Sequence, residues 1–295
     1  MITALIAGLV MTQTTQVVML GTGMPRPDPE RSGPASAVVV NGSAYIVDCG
    51  PGVVRRAAAA AEKGIEALKA KNLKTVFITH LHSDHTLGYP DLILTPWVMG
   101  REGPLEAYGP KGLDNMTTNI LAAYKEDVDV RIHGLEHEND TGWRVHVHEI
   151  QPGQIYKDKN VKVTAIPVHH GEWKYAYGFR FDTPDRTIVF SGDTTPSKEL
   201  EEAAKNVDVL VHEVYPEDEL EPEKRPGGED WPEYMKAFHT SAKELGAIAN
   251  RCQPKLLVLY HVVRHAKDTD EDLIKQIREG GFQGPVVVAK DLDVF

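Results

Sequence analysis

The sequence predicts an α/β fold. Three observations carry that expectation. Short β-rich runs alternate with stretches of helical periodicity along most of the chain. Gly, Pro and Asn-Gly turns separate them. The composition, 41% hydrophobic and 25% charged over 295 residues, lies in the ordinary globular range and excludes disordered, collagen-like and coiled-coil classes.

Gln16–Leu20 reads as the first strand and leads through Gly21-Thr-Gly23 into a Pro/Arg loop at Met24–Pro34. Ser36–Val40 and Tyr45–Cys49 form a hairpin, because Asn41-Gly42 supplies the positive φ angles of a type I′ turn. Pro51 sits just inside a helix start, and Val54, Ala58, Ile65 and Leu68 recur at helical spacing through Ala70. Thr75–Thr79 is a buried strand that delivers the chain into His80. A Pro/Gly-punctuated middle, Pro90 to Gly112, precedes a helix at Leu113–Lys125 and an alternating strand at Arg144–Ile150. Strands follow at Val161–Val168, Tyr177–Phe181, Thr187–Phe190, Val207–Val211, Leu256–Leu259 and Pro285–Val288, with helices at Ser197–Ala204, Ser241–Asn250 and Thr269–Glu279. Ser241 and Glu244 have capping-box spacing, and Gly280-Gly281 ends the last helix. The acid-, Pro- and Gly-rich Pro216–Pro232 reads as a mobile loop.

Charge and cysteine content narrow the function. With 32 basic and 43 acidic side chains the net charge is −11, which repels phosphate backbones and argues against a nucleic-acid partner. Two cysteines, Cys49 and Cys252, make neither a disulfide framework nor a zinc ribbon. No apolar run reaches the ~20 residues that span a bilayer, so no membrane partner is expected. The apolar opening Met1 to Met11 has the character of a signal-peptide core without a basic flank. Residues 1–15 are therefore set apart as an export segment or a disordered N-terminus, and 16–295 as a single domain. Export would place the protein in the periplasm or outside the cell, with the cytoplasm as the alternative. A homo-oligomer stays open.

Thirteen histidines are many for this length, and four potential metal ligands stand within Thr79-His80-Leu81-His82-Ser83-Asp84-His85. Imidazole and carboxylate donors in this density suit zinc or another borderline divalent metal; calcium and magnesium prefer all-oxygen sites. On an extended segment His80 and His82 point to one side, while Asp84 and His85 turn toward a neighbouring position.

These residues resemble the His-x-His-x-Asp-His motif of the metallo-β-lactamase superfamily, and further motifs follow in the family's order. Val161 to His169-His170-Gly171 resembles the strand ending in the third histidine, Ser191-Gly192-Asp193-Thr194 the bridging-aspartate turn, and Leu257 to His261 the final histidine. The resemblance implies a four-layer αβ/βα fold. It implies that His80, His82 and His170 hold one metal, that Asp84, His85 and His261 hold a second, and that Asp193 bridges them. His170 is preferred to His169 because the family's ligand directly precedes the glycine. Asp48 is expected to orient a ligand or the loop. Two pieces, Val211-His212-Glu213 and Phe238-His239-Thr240, resemble the ribonuclease Z-like branch, which also holds arylsulfatase-like and phosphodiesterase-like hydrolases. There Glu213 would orient His239 and raise its basicity, so that His239 serves the departing oxygen.

The expected function is hydrolysis by a hydroxide shared between two Zn²⁺ ions, with Mn²⁺ or Fe²⁺ as the other candidates, Asp84 orienting the nucleophile. The expected substrate is a small anionic ester, a phosphodiester or aryl sulfate, received by the arginines of Pro25-Arg26-Pro27 and Arg31-Ser32-Gly33. The alternatives are tRNA 3′-processing, for which no extended Gly/Pro/basic arm is found, a lactonase or β-lactamase type of hydrolase, and a non-enzymatic metal sensor. Trp173, Tyr175 and Tyr177 either wall the cleft or belong to a half-buried strand.

Overall fold

A computed structural model describes residues 15–217, 220, 230–264 and 269–295. Strands buried at every position, such as Ala35–Val40 and Val209–Val214, demand cover on both faces, and the paired sheets with their helices provide it. The first has six strands in chain order, β1 (Thr15–Gly21), β2 (Ala35–Val40), β3 (Ser43–Val47), β4 (Thr75–Phe77), β5 (Leu105–Gly109) and β6 (Val145–Glu149). Pairing is antiparallel from β1 to β3 and parallel from β3 to β6. The second has seven, β7 (Gly153–Lys157), β8 (Lys162–Pro167), β9 (Tyr177–Asp182), β10 (Thr187–Phe190), β11 (Val209–Val214), β12 (Leu256–Val262) and β13 (Val286–Val288). It is antiparallel through β10 and parallel beyond. The C-terminal residues line the β1 edge: Val17 and Met19 donate to the carbonyls of Phe295 and Asp293 at 3.0 and 2.9 Å.

Val17, Val38, Tyr45 and Phe77 of the first sheet meet Phe179, Phe181, Val211 and Val258 of the second in one apolar layer. Nine α-helices are among the described residues: α1 (Val53–Glu62), α2 (Ser83–Thr86), α3 (Tyr89–Val98), α4 (Leu113–Ala123), α5 (Lys125–His133), α6 (Lys198–Ala203), α7 (Trp231–Phe238), α8 (Ala242–Cys252) and α9 (Asp270–Glu279). α1, α3 and α4 cover the outer face of the first sheet, and α6, α8 and α9 that of the second. This is the expected four-layer αβ/βα architecture. Ser241 and Glu244 do form a capping box on α8.

Several elements differ from the sequence reading. The helix expected through Ala70 stops at Glu62, because Gly64 adopts φ +102° and two short 3₁₀ turns follow. The punctuated middle contains α3 and β5, since Pro90 stands in the first turn of α3, where a missing N–H costs nothing. α5 and the polar edge strand β7 were not anticipated. The expected loop Pro216–Pro232 falls largely outside the described residues, but its end, Trp231-Pro232, opens α7 with Asp230 as cap. β1 starts at Thr15, which belongs to the sheet and not to the N-terminal segment. Of the segment 1–15 set apart for export, residues 1–14 lie outside the described residues. Among the described residues no helix is long and apolar enough to cross a membrane.

Candidate active site

The carboxyl ends of β4, β8, β10, β11 and β12 open on one rim, the usual place for a site in α/β sheets. β4 ends in the extended His80–His82 segment, and the single turn α2 then swings Asp84 and His85 back toward it. His170 follows β8, Asp193 follows β10, and His261 lies within β12. The β11–β12 register shifts opposite Glu213/Val214, so His261 is the extra residue of a bulge, at φ +43°, that aims its ring at the rim.

The donor atoms of His80, His82, His170 and Asp193 lie within 4.8 Å of one another, and so do those of Asp84, His85 and His261. His82 Nδ1 is 3.0 Å from His80 Nε2 and 3.1 Å from His170 Nε2. Asp193 stands between the groups: Oδ2 is 3.8 Å from both His80 and His170 Nε2 and 3.6 Å from His261 Nε2, while Oδ1 is 3.4 Å from His85 Nε2. Asp84 Oδ2 lies 3.1 Å from His261 Nε2 and 3.6 Å from that of His85.

Backbone and carboxylate partners orient these rings. His170 Nδ1 donates to the Phe238 carbonyl at 2.7 Å, leaving Nε2 for the cluster. Gly171 adopts φ +52°, and a Cβ there would sit 2.1 Å from the Phe238 ring, so only glycine lets this turn pack on α7. His169 is exposed and outside the cluster. Asp48, buried and at φ +59°, accepts the Thr79 N–H at 2.8 Å and holds His85 Nδ1 at 2.9 Å. Trp173 donates its indole N–H to His82 Nε2 at 2.7 Å.

The two groups differ electrostatically. Burial lowers His80 and His82 below the usual imidazole range and His170 to about 4, so three neutral rings face each other. Burial acts the same way on His85 and His261, but the surrounding carboxylates, Asp193 first, outweigh it and raise His85 well above its usual value and His261 to about 9. Burial opposes ionisation of Asp84 and Asp193, yet the neighbouring histidines reverse this, taking Asp84 to about 2 and Asp193 well below the carboxylate range.

Beside the cluster, His239 Nδ1 lies 3.3 Å from Glu213 Oε2, both buried. Glu213 Oε1 accepts the N–H groups of Thr194 and Thr240 at 3.2 and 3.1 Å. Burial, then the charge of Asp193, pushes Glu213 well above the carboxylate range, and burial pushes His239 down to about 4. Burial is the largest influence on both groups.

The residues fit a pair of divalent cations. Five imidazoles and two carboxylates converge, and buried His85 Nε2 and Asp193 Oδ1 have no hydrogen-bond partner among the described residues, a costly state unless an ion satisfies them. A cleft of about 500 Å³ gives access, lined by Arg26, His82, Asp84, Asp193, Trp231, Tyr234, His239, His261 and Arg264 among others.

A family model described as a beta-lactamase superfamily domain matches residues 43–262. The chain belongs to the beta-lactamase superfamily. It is 33% identical to the ribonuclease Z of Mycobacterium bovis BCG over 282 residues, covering 94% of this chain and 96% of that protein. The metallo-beta-lactamase fold protein YhfI from Bacillus subtilis shares its fold with a TM-score of 0.70 at 20% identity, over 95% of this chain and 99% of the other. Human tRNase Z, short form, gives 0.68 at 23% identity, over 95% and 98%. The chain is accordingly a metal-dependent hydrolase of this superfamily. The relatives named as ribonucleases overturn the expectation of a small anionic substrate with nucleic acid disfavoured. The physical error was to read a local property from a global one: a net charge of −11 says nothing of the potential inside one cleft.

Within this superfamily site, other expectations divide. Arg26 lines the cleft, whereas Arg31 donates to Thr22 Oγ1 and the Ala289 carbonyl, both at 3.2 Å, and fastens the loop. Trp173 contacts the cluster; Tyr177 is buried in the inter-sheet layer, and Tyr175 packs against it. The sequence reading missed Trp231, Tyr234 and Arg264. The i, i+3, i+7 spacing of Trp231, Tyr234 and Phe238 was the available signal.

Proposed function

We propose that this chain is a ribonuclease Z-type endonuclease that hydrolyses a phosphodiester near the 3′ end of precursor tRNA. The observation that carries the reading is the identity of one third shared with a ribonuclease Z over nearly the full length of both chains. We assign His80, His82 and His170 to one divalent cation, Asp84, His85 and His261 to a second, and Asp193 to both. The donor chemistry favours zinc. Such a pair supplies an activated water and neutralises charge on the phosphoryl group.

The chain's own groups do the rest. Asp48 and the Phe238 carbonyl hold the His85 and His170 rings so that each Nε2 faces the site. Asp84, on the cleft wall, accepts a hydrogen bond from the O–H on the attacking side. His239, also on that wall, faces the departing oxygen and hydrogen-bonds or protonates it, with Glu213 as the positioning residue behind it. Water is consumed, and one hydroxyl end and one phosphate monoester end form.

The test is cleavage of precursor tRNA bearing a 3′ trailer by zinc-loaded protein at physiological salt, with aryl sulfate, phosphomonoester and lactone alongside. A single mapped cut at the 3′ side is expected. Turnover of the lactone or sulfate with no RNA cleavage would overturn the reading.

A further inference from the structure

We infer that Trp173 is a latch on the cation position formed by His80, His82 and His170: its indole N–H holds the His82 ring in the wrong tautomer for a metal, and a cation binds there only once the indole lets go. This inference rests on the assignment of those three histidines to one cation, and not on RNA as the substrate. A neutral imidazole has one N–H and one bare nitrogen, and only the bare nitrogen can take a metal. Metal-binding histidines therefore turn their other nitrogen, the protonated one, to an acceptor.

Two rings of this group obey that rule. His170 Nδ1 donates to the Phe238 carbonyl at 2.7 Å. Thr79 Oγ1 gives its own proton to Asp48 Oδ2 at 2.9 Å, so across the 3.0 Å contact with His80 Nδ1 it accepts. Both rings thus present a bare Nε2. His82 is reversed. Its Nε2 faces Trp173 Nε1 at 2.7 Å, and an indole nitrogen can only donate, so Nε2 is bare and Nδ1 carries the proton. The inner side demands the same tautomer: Nδ1 lies 3.0 Å from His80 Nε2 and 3.1 Å from His170 Nε2, and between bare nitrogens only a proton on Nδ1 makes these contacts favourable. That proton points to where the donors of the group converge.

A cation on His82 Nδ1 reverses the tautomer. Nδ1 gives its proton to water and Nε2 takes one from water, so no net proton is released. Two N–H donors would then face each other at the 2.7 Å that now separates Nε2 from the indole, and the indole must turn away. Its backbone need not follow, because the Trp173 N–H is tied to the His170 carbonyl at 3.0 Å in the turn that Gly171 closes at φ +52°. The side chain is half-buried, which leaves the ring a way out to solvent. Metal at this position therefore costs a hydrogen bond that metal at the other does not, since His85 Nδ1 meets the Asp48 carboxylate. The Asp84, His85 and His261 group fills first, and Trp173 sets how much zinc the His80 group needs.

A zinc competition titration of chelator-stripped wild type and Trp173→Phe would test this, since phenylalanine keeps a ring and removes the donor. Wild type should bind two unequal equivalents. In the variant the weaker one should bind roughly 10- to 100-fold tighter, the scale on which an orienting partner acts, with the stronger one unchanged. An unchanged or weakened affinity would overturn the latch. NMR of the histidine nitrogens and of the indole N–H adds a readout that packing alone would not move. As the weaker equivalent enters wild type, the His82 proton should pass from Nδ1 to Nε2 and the Trp173 indole resonance should shift with it. A His82 Nε2 that stays bare, or an indole resonance that stays put, overturns the inference, and these wild-type spectra decide alone should Trp173→Phe melt early. Fewer than two equivalents in wild type would remove the paired-cation assignment first and the latch with it, whereas a failure to cleave RNA would leave both standing.

Discussion

The two sheets build the site in opposite ways. The first contributes His80, His82, Asp84 and His85 from one segment after β4, held from below by Asp48 at the end of β3. The second contributes His170, Asp193 and His261 singly, from the ends of β8 and β10 and a bulge in β12, with Glu213 from β11 beside them. A local segment can place its donors by short-range geometry. Scattered donors need the whole sheet in register before any of them is useful. The second sheet should therefore fail one residue at a time, and the first should fail as a unit when its support is removed.

The largest effect is expected from a scattered donor. His170→Ala should take zinc content from about two equivalents to one or fewer and activity to background, whereas the exposed neighbour variant His169→Ala keeps both. Elemental analysis on chelator-free protein reads the difference. The reverse pattern would undo the assignment of the β8 end.

Next comes the second sheet's Glu213 and the histidine it faces. His239→Ala should lower kcat by ~10²–10⁴-fold with metal content intact, as for other general acid–base groups. Glu213→Gln should act through the same ring, so the double variant should be far less impaired than the product of the single effects. Additive losses would show that the contact at 3.3 Å has no catalytic consequence.

The same contrast explains what was legible in the sequence. The first sheet's candidate donors stand out directly, because four potential ligands within six positions have few other uses. The second sheet's donors could be read only through resemblance to a family, since a lone histidine at a strand end is usually an ordinary buried residue. The choice of His170 over His169 depends physically on a carbonyl 68 positions away, a contact no local pattern contains. Prolines misled the reading where they begin helices, at Pro90 and Pro232, and Gly64 ended a helix whose alanine-rich periodicity continued past it. The partner was misread because charge was summed over a surface, while Arg26 and Arg264 lie together in one cleft.

A smaller effect should come from the first sheet's support. Asp48→Asn keeps the shape but weakens the hydrogen bonds to the Thr79 N–H and His85 Nδ1. Loss of such an orienting carboxylate typically costs 10–100-fold in metal affinity. If the local segment behaves as a unit, a zinc competition titration should show both equivalents weakened. Weakening of one equivalent only would mean that the two cations are held independently even within this segment.

The smallest effect lies at the opposite ends of the second sheet's strands. There Asp208, just before β11, accepts from the Thr187 N–H and Oγ1 at 2.7 and 3.0 Å and pairs with Lys255 at 2.6 Å. Partial burial opposes its ionisation, but the Lys255 and Thr187 hydrogen bonds outweigh this and hold it below the ordinary value of 3.8. A carboxyl depressed in the folded state adds stability that is present above the unfolded value and vanishes as pH falls through the folded one. Lys255 is exposed, so the contribution is screened and should stay under about 1 kcal/mol. Urea unfolding of wild type and Asp208→Asn should therefore differ slightly near neutral pH and converge once the pH has fallen well below the ordinary carboxylate value, with identical zinc content. A gap that persists at the lower pH would mean that the side chain stabilises by shape and not by charge. Loss of zinc in this variant would mean that the far ends of β10 and β11 are coupled to the rim, and that the division between supporting and ligating ends does not hold.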